Sequence, residues 1–530
     1  FTKYVEPLAL YAHLKSDEQL SDSMRQENSE RLSNILNNIS IETSFVMSEL
    51  NKLSDTMLDD IISDKRFKDY NREFEDIKKN KKHMLSKGEE KLLSGMNFLS
   101  GFSNNMDMLS DVDIKFGNIK DSKGKMYELT HSSYSSLVRN EDRKLRKLAM
   151  TKMNGTYGKY INTFASNYIS EVKANCYFAK VRKYKSALDR ALEVEDVDKK
   201  VYSMLKIQVE KNLDVLFDYF SIKKKLLGLK TMYIYDHMAD VGRTTSKKYT
   251  FDEAIEIIKK AVSPLGEEYV SLIDKAKKER WIDVYPSKDK ASGAYQTGVY
   301  GIHPYVLTNF EGDLDSIFTL AHELGHAMHT YHSDRTQAYP KAYYPIFLAE
   351  IASTTNEMLL VNYLLKTSKN KDEKIALYNK LFDGVKGTIY RQTMFAEFEE
   401  KVHGLQEEGK GLTKDTLNGV YFVLNKKFFG PVRLIDEIRY EWARIPHFFN
   451  AFYVYKYATG MISAINFTNK ILSNEKGAIE NYINFLSSGC SDNPIKILQK
   501  AGCDLLKEES FNKCFDYLKE MLADWKMLTE

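Results

Sequence analysis

Five residues in this 530-residue chain carry most of a reaction: His322-Glu323-Leu324-Gly325-His326. On an α-helix, positions i and i+4 share a face one turn apart. His322 and His326 can then aim imidazole nitrogens at one Zn²⁺. Glu323 lies about 100° round the same helix, within reach of a water on that metal. A carboxylate that takes a proton from a metal-activated water is the core of a zinc hydrolase. Chance is a poor rival. With 11 His and 74 acidic residues, a random H-[DE]-x-x-H is expected roughly 0.03 times per chain.

Catalytic zinc usually takes three protein ligands and keeps a fourth position open. Two candidates follow the motif. His332 sits where a third His falls in H-E-x-x-H-x-x-G-x-x-H, but that pattern needs Gly seven residues after its first His, and here that residue is His329. His332 is therefore expected to stay on the helix, away from the metal. Glu350 is the favoured ligand. It stands among Leu348, Ala349, Ile351 and Ala352, where an unpaired carboxylate is costly. The rival reading is a helix N-terminal acid stabilised by the macrodipole. Glu357, seven residues on, either accepts the free ring N–H of a ligand His or is a plain surface acid.

Far downstream, Pro446-His447 precedes Tyr453, Tyr455 and Tyr457. His447, Tyr453 and Tyr457 are suitable donors to an oxyanion, with the two tyrosines placed on one helical face. The same aromatic run also fits core packing.

The positioning elements follow from periodicity and breakers. An apolar-periodic helix is expected over about 314–333 and a second over about 346–365, with Pro340 and Pro345 between them. Asp313 or Asp315 is placed to cap or charge the first. No proline falls between residues 8 and 263, so long helices are expected near 18–60, 64–86, 87–100, 132–185, 194–225 and 251–277. Further helices are expected at 371–409, 413–428, 433–443, 447–472 and 477–488, with a last packing helix near 511–528. Alternation marks one β region, about 281–311. Its edge can pair with an extended peptide, with Gly293, Ala294 and Gly298 beside the backbone, or the sheet is purely structural. Gly101, Gly117 and Gly124 punctuate an irregular zone, placing a boundary near 127 between an N-terminal helical lobe (1–127) and a catalytic domain (128–530).

Composition is that of an ordinary globular protein, 43 % hydrophobic and 28 % charged. A net charge of +3 gives no electrostatic case for nucleic acid or an acidic membrane. No run reaches the length of a membrane span. The four cysteines lack C-x-x-C spacing and read as reduced thiols of a cytoplasmic protein. No signal peptide is visible, and the chain opens on Phe1, so N-terminal residues are expected to be missing.

The segments Phe318–His329, Ala349–Glu357, Ile445–Phe449 and Tyr453–Tyr457 together resemble oligoendopeptidase F, the bacterial branch of the thimet-oligopeptidase-like zinc metallopeptidases. Trp281–Val284, Ser292–Tyr295, His303–Tyr305 and Arg391–Glu397 support the resemblance in the same order. It implies a mainly α fold, two-lobed around a deep channel, with a small β-sheet beside the zinc helix. It implies one Zn²⁺ per chain on His322, His326 and Glu350, with Glu323 as general base. His447 with Tyr453 or Tyr457 would serve the oxyanion. Gly293, Ala294 and Tyr455 are assigned to substrate contact. Gly460 stands where the thimet-type pattern has a third tyrosine. The implied activity is endopeptidase cleavage of short unstructured peptides. Two alternatives are a metallocarboxypeptidase holding a terminal carboxylate on Arg391 or Arg444, and a non-enzymatic helical scaffold with structural zinc. The sequence leaves the oligomeric state open.

Overall fold

The computed structural model describes residues 2–95, 101–242 and 247–530. Its elements are mainly α-helices. Packing divides the chain into two units. The first comprises Phe1–Lys82, Thr245–Thr367 and Ser463–Asp504, and the second His83–Thr244, Ser368–Ile462 and Leu505–Glu530. This division departs from the boundary expected near 127. The N-terminal helices pack with the segment that carries the motif, so each unit is assembled from separated stretches of chain.

The long helices expected from the absence of proline are present but cut short. Asp22, Ser54, Asp142, Asp198 and Thr250 each accept backbone N–H groups as N-caps. A cap side chain competes with helix continuation, so helices restart there. The expected 132–185 helix becomes His131–Arg139, Arg143–Lys159 and Ile161–Val181. Pro7 lies inside the helix Thr2–Glu18, which precedes the first helix expected from the sequence. It sits in the second turn, where its missing N–H costs a single bond. Of the helix expected at 87–100, Lys87–Gly95 is helical, and 96–100 lies outside the described residues.

Two small sheets occur. The strands β1 (Asn118–Lys120) and β2 (Met126–Glu128) form an antiparallel hairpin in the zone expected to be irregular. Gly124, at φ 85°, sits in its turn. The second sheet falls in the expected β region. It contains β3 (Ile282–Asp283), β4 (Tyr295–Thr297) and β5 (Tyr305–Leu307), in the order β3-β5-β4. β5 pairs parallel with β3, Ile282 opposite Val306, and antiparallel with β4, Gln296 opposite Val306. β4 is thus an edge strand.

The motif helix runs Leu314–Thr336 and the next long helix Ile346–Thr367, both close to expectation. Asp313 caps the first, its carboxylate accepting from the Ser316 backbone N–H and hydroxyl at 2.8 and 2.7 Å. The two helices pack closely along an interface of small residues. A Cβ on Gly325 would stand 2.6 Å from the Ser353 Cα and 2.7 Å from the Ala352 carbonyl oxygen. Only glycine permits that approach. Asn356 pins the pair, donating to the Ala321 carbonyl at 3.1 Å and accepting from the Tyr269 hydroxyl at 2.9 Å.

Candidate active site

In the first unit, His322, His326 and Glu350 bring one ligand atom each within 4.8 Å of one another. The Glu350 Oε2 lies 3.5 Å from His322 Nε2 and 3.8 Å from His326 Nε2. His322 Nδ1 lies 2.5 Å from Glu357 Oε1. An Nδ1–H donated to Glu357 leaves Nε2 as the free lone pair facing Glu350. Glu357 is therefore paired with the His322 ring, which is the first of the two roles open to it in sequence and not that of a plain surface acid. The Gly325 contact explains how Glu350 reaches the pair: wider helix spacing would withdraw it. The signal for that glycine's role was present in the motif, but its partner, Ala352-Ser353, is visible only in three dimensions.

Three carboxylates converge on two imidazoles here. Burial disfavours the His322 imidazolium, but the hydrogen bond and charge of Glu357, with Glu323 and Glu350 nearby, push it up to about 9. Burial, then the charge on His322, push His326 down to about 3. Burial pushes the Glu323 carboxyl up to about 7, with His322 opposing and Glu350 and Glu357 adding to the rise. A site so rich in acid, with only one ring favoured as a cation, suits a divalent metal. Two nitrogens and one carboxylate oxygen are a zinc-type donor set with room for a fourth ligand. Among the described residues this is the group that meets such a geometry, and none of the four free cysteines belongs to it.

β4 lies against the motif helix. The Gln296 backbone N–H supports Glu323, and Thr330 reaches the Gln296 side chain at 3.3 Å. Gly293, exposed and at φ 83°, and Ala294 lead into that strand. Asn309 holds the turn by donating to the carbonyls of Ala291 and Gly293. Gly298, expected to admit a substrate backbone, instead admits the motif helix: its Cβ would lie 3.2 Å from Thr330 Cγ2. His329 and His332 take no part in the metal group. His329 stacks on Tyr344 at 3.7 Å, and His332 is buried beside Tyr269.

The second unit holds the other expected residues. The helix expected at 447–472 begins at Tyr455. Before it come a short 3₁₀ turn, Pro446–Phe449, and Phe452 at φ 60°. A left-handed residue ends any helix, so Tyr453 is not helical. The cluster forms nonetheless. The Tyr457 ring lies 6.0 Å from His447 and 5.4 Å from Tyr453, centroid to centroid. Partial burial pushes His447 below its ordinary value, which keeps it a neutral donor. Tyr455 does not join them. It is fully buried against Tyr202, with its hydroxyl 3.5 Å from Glu195, so the expected substrate contact is corrected to a packing role. Arg391 and Arg444 also have other work. Both bind the buried carboxylate of Glu441, at 2.9 and 3.2 Å. Their guanidinium groups are thus engaged in an internal ion-pair network.

Comparison with known proteins agrees with this geometry. Residues 136–517 match the family model described as Peptidase family M3, and residues 49–116 match one described as Oligopeptidase F. These two matches fall either side of residue 127, whereas the packing units do not. Over 524 residues the chain is 38 % identical to Oligopeptidase PepF of Bacillus subtilis (strain 168), covering 98 % of this chain and 78 % of that protein. It superposes with a TM-score of 0.95 on a putative peptidase from Chlamydophila abortus, 38 % identical, covering 99 % and 89 % of the two chains. The oligoendopeptidase-F structure from Enterococcus faecium follows with TM-score 0.77 and 32 % identity, over 99 % and 90 %. Fold and site thus define a helical metallopeptidase. The chain belongs to peptidase family M3 and, within it, to the oligoendopeptidase F group. It is accordingly a metalloendopeptidase. Among the described residues, no helix is long and apolar enough to cross a membrane.

Proposed function

We propose that His322, His326 and Glu350 hold one Zn²⁺, and that the enzyme cleaves internal bonds of short unstructured peptides. The convergence of the three ligand atoms within 4.8 Å carries this reading. When bound, zinc would acidify a water and polarise the scissile carbonyl. Glu323, in hydrogen-bond reach of the Gln296 backbone and beside the ligands, takes the proton from that water. It then hands the proton to the leaving amine. Glu357 keeps the His322 ring oriented. His447, with Tyr453 or Tyr457, donates to the oxygen on which charge develops. Gly293 and Ala294 border the peptide at the start of the β4 edge.

The test is hydrolysis of an internally quenched peptide blocked at both ends, with metal content measured in parallel. Wild type is expected to cleave it and to stop when a chelator is added. Glu323→Gln is expected to retain zinc while turnover falls about 10²–10⁴-fold. Cleavage only of peptides with a free C-terminus would overturn the endopeptidase reading. Full turnover by Glu323→Gln would remove the base.

A further inference from the structure

The segment 444–452, which carries His447, has little regular structure of its own, yet it is clamped at both ends by one face of a single helix. That helix is Arg391–Glu407. Arg391, Phe395, Phe398 and Glu399 fall at i, i+4, i+7 and i+8, one stripe along it. At one end of the segment, Arg391 binds Glu441, and Glu441 binds Arg444. In the middle, Phe448 packs on Phe395 and Phe398, with centroids 5.2 and 5.0 Å away. At the other end, Glu399 Oε1 accepts the Phe452 backbone N–H at 2.9 Å.

Phe452 is the unusual residue. It is a non-glycine at φ 60°, a conformation that bulky L-residues rarely adopt. Its ring is buried between His403, 4.7 Å away, and Tyr202, 6.4 Å away. Such a conformation persists only where the surroundings over-determine it. Here the carboxyl bond and the ring contacts do so. The next residue is Tyr453, and the chain turns at Phe452 to set Tyr453 against Tyr457.

We propose that Glu399 is a positioning residue: by accepting the Phe452 N–H it fixes the left-handed turn that places His447, Tyr453 and Tyr457 for catalysis. This rests on the reading of those three residues as oxyanion donors. Glu399 is fully buried, and burial pushes its carboxyl well above the ordinary range despite the Phe452 bond and the Lys456 charge. Its reach to the Phe452 N–H depends on side-chain length, so glutamine is its isostere and aspartate is not.

The experiment compares Glu399→Gln, Glu399→Asp and His447→Ala for kcat, KM and metal content. Glu399→Gln keeps an acceptor in place and is expected to behave like wild type. Glu399→Asp is one methylene short of Phe452. Its kcat is expected to fall about 10- to 100-fold, since misplacing a catalytic group by about 1 Å has effects of that size. KM and zinc content should stay unchanged. In a His447→Ala background, Glu399→Asp should have little further effect, because both act on one step. Should Glu399→Asp fail to fold, Glu399→Met, which fills the buried site without an acceptor for the Phe452 N–H, is measured in its place, with the same loss of kcat at unchanged zinc expected. The inference is overturned if His447→Ala lowers kcat while Glu399→Asp, or Glu399→Met in its stead, turns over like wild type. It is equally overturned if aspartate preserves activity and glutamine destroys it, which is the signature of a charge requirement. If His447→Ala itself leaves kcat unchanged, the donor reading has failed first, and the inference falls with it.

Discussion

The proposed metal half and the proposed donor half of this enzyme are built by opposite means. In the first unit, the proposed ligands stand on two regular helices, and their placement is a matter of helical period and helix spacing. His322 and His326 are one turn apart, and Glu350 arrives because Gly325 lets the second helix close to contact with Ser353. In the second unit, His447 and Tyr453 sit on irregular chain, a 3₁₀ turn followed by a left-handed phenylalanine. Their placement depends on side chains from elsewhere: Glu441 for one flank and Glu399 for the other. Packed regular structure holds one half; buried polar contacts hold the other. Substitutions should therefore fail differently in each.

The largest effect separates the halves outright. Glu350→Ala removes one of three ligands and is expected to leave the purified protein without stoichiometric zinc and without turnover. His447→Ala is expected to keep its zinc and lose about 10²–10³-fold in kcat, the usual consequence of losing one oxyanion donor. Metal analysis beside peptide hydrolysis reads both. Full zinc occupancy in Glu350→Ala would show that the third ligand lies elsewhere.

A smaller effect tests whether helix spacing governs the metal half. Gly325→Ala leaves every ligand in place but puts a methyl group 2.6 Å from backbone. Overpacking of this kind costs about 1–3 kcal/mol. The helices are expected to part, and zinc affinity to drop about 10- to 100-fold while the helical content stays. Competition with a chromophoric chelator measures it. Wild-type affinity in Gly325→Ala would mean that Glu350 is positioned by something other than this crossing.

The same contrast explains what was legible in the sequence. The motif helix and its partner were readable nearly to their ends, because apolar periodicity and the Pro340–Pro345 connection act locally. Glu350 was singled out as an acid in an apolar setting, and the structure brings it beside His322 and His326. The role of Gly325 was not legible, since its meaning lies in Ser353, 28 positions away in the chain. The donor segment was misread as a helix from 447, because aromatic residues at i and i+4 look helical and nothing local announces φ 60° at Phe452. Tyr455 opens the helix that does form and is buried against Tyr202, a partner more than 250 positions away that no local pattern reveals. The hairpin at 118–128 escaped notice because its strands are three residues each, too short for a period-2 pattern to emerge. Division into packing units was beyond a linear reading, since residues 1–82 join the motif-bearing unit across more than 160 intervening positions.

The last effect concerns charge and is read in stability rather than in turnover or metal binding, and it belongs to the donor half alone. Glu441 is buried, accepts from the Tyr421 hydroxyl at 2.7 Å and binds Arg391 and Arg444. Burial opposes its ionisation, but the two arginines and the hydrogen bonds bring the carboxyl down from 4.5 to about 2. A carboxylate with a depressed native pKa contributes stability that is complete above its unfolded value and disappears as pH falls through the native one. For Glu441 that window runs from about pH 4.5 down to about pH 2, and a depression of this size corresponds to about 3 kcal/mol. Glu441→Gln keeps the shape and removes the titration. Thermal unfolding of the zinc-free proteins across this range should show the variant less stable than wild type at neutral pH. The gap between them should narrow steadily as pH falls from 4.5. A gap that stayed constant down to pH 2 would mean that Glu441 acts through shape and hydrogen bonding, and that charge does not distinguish the two halves.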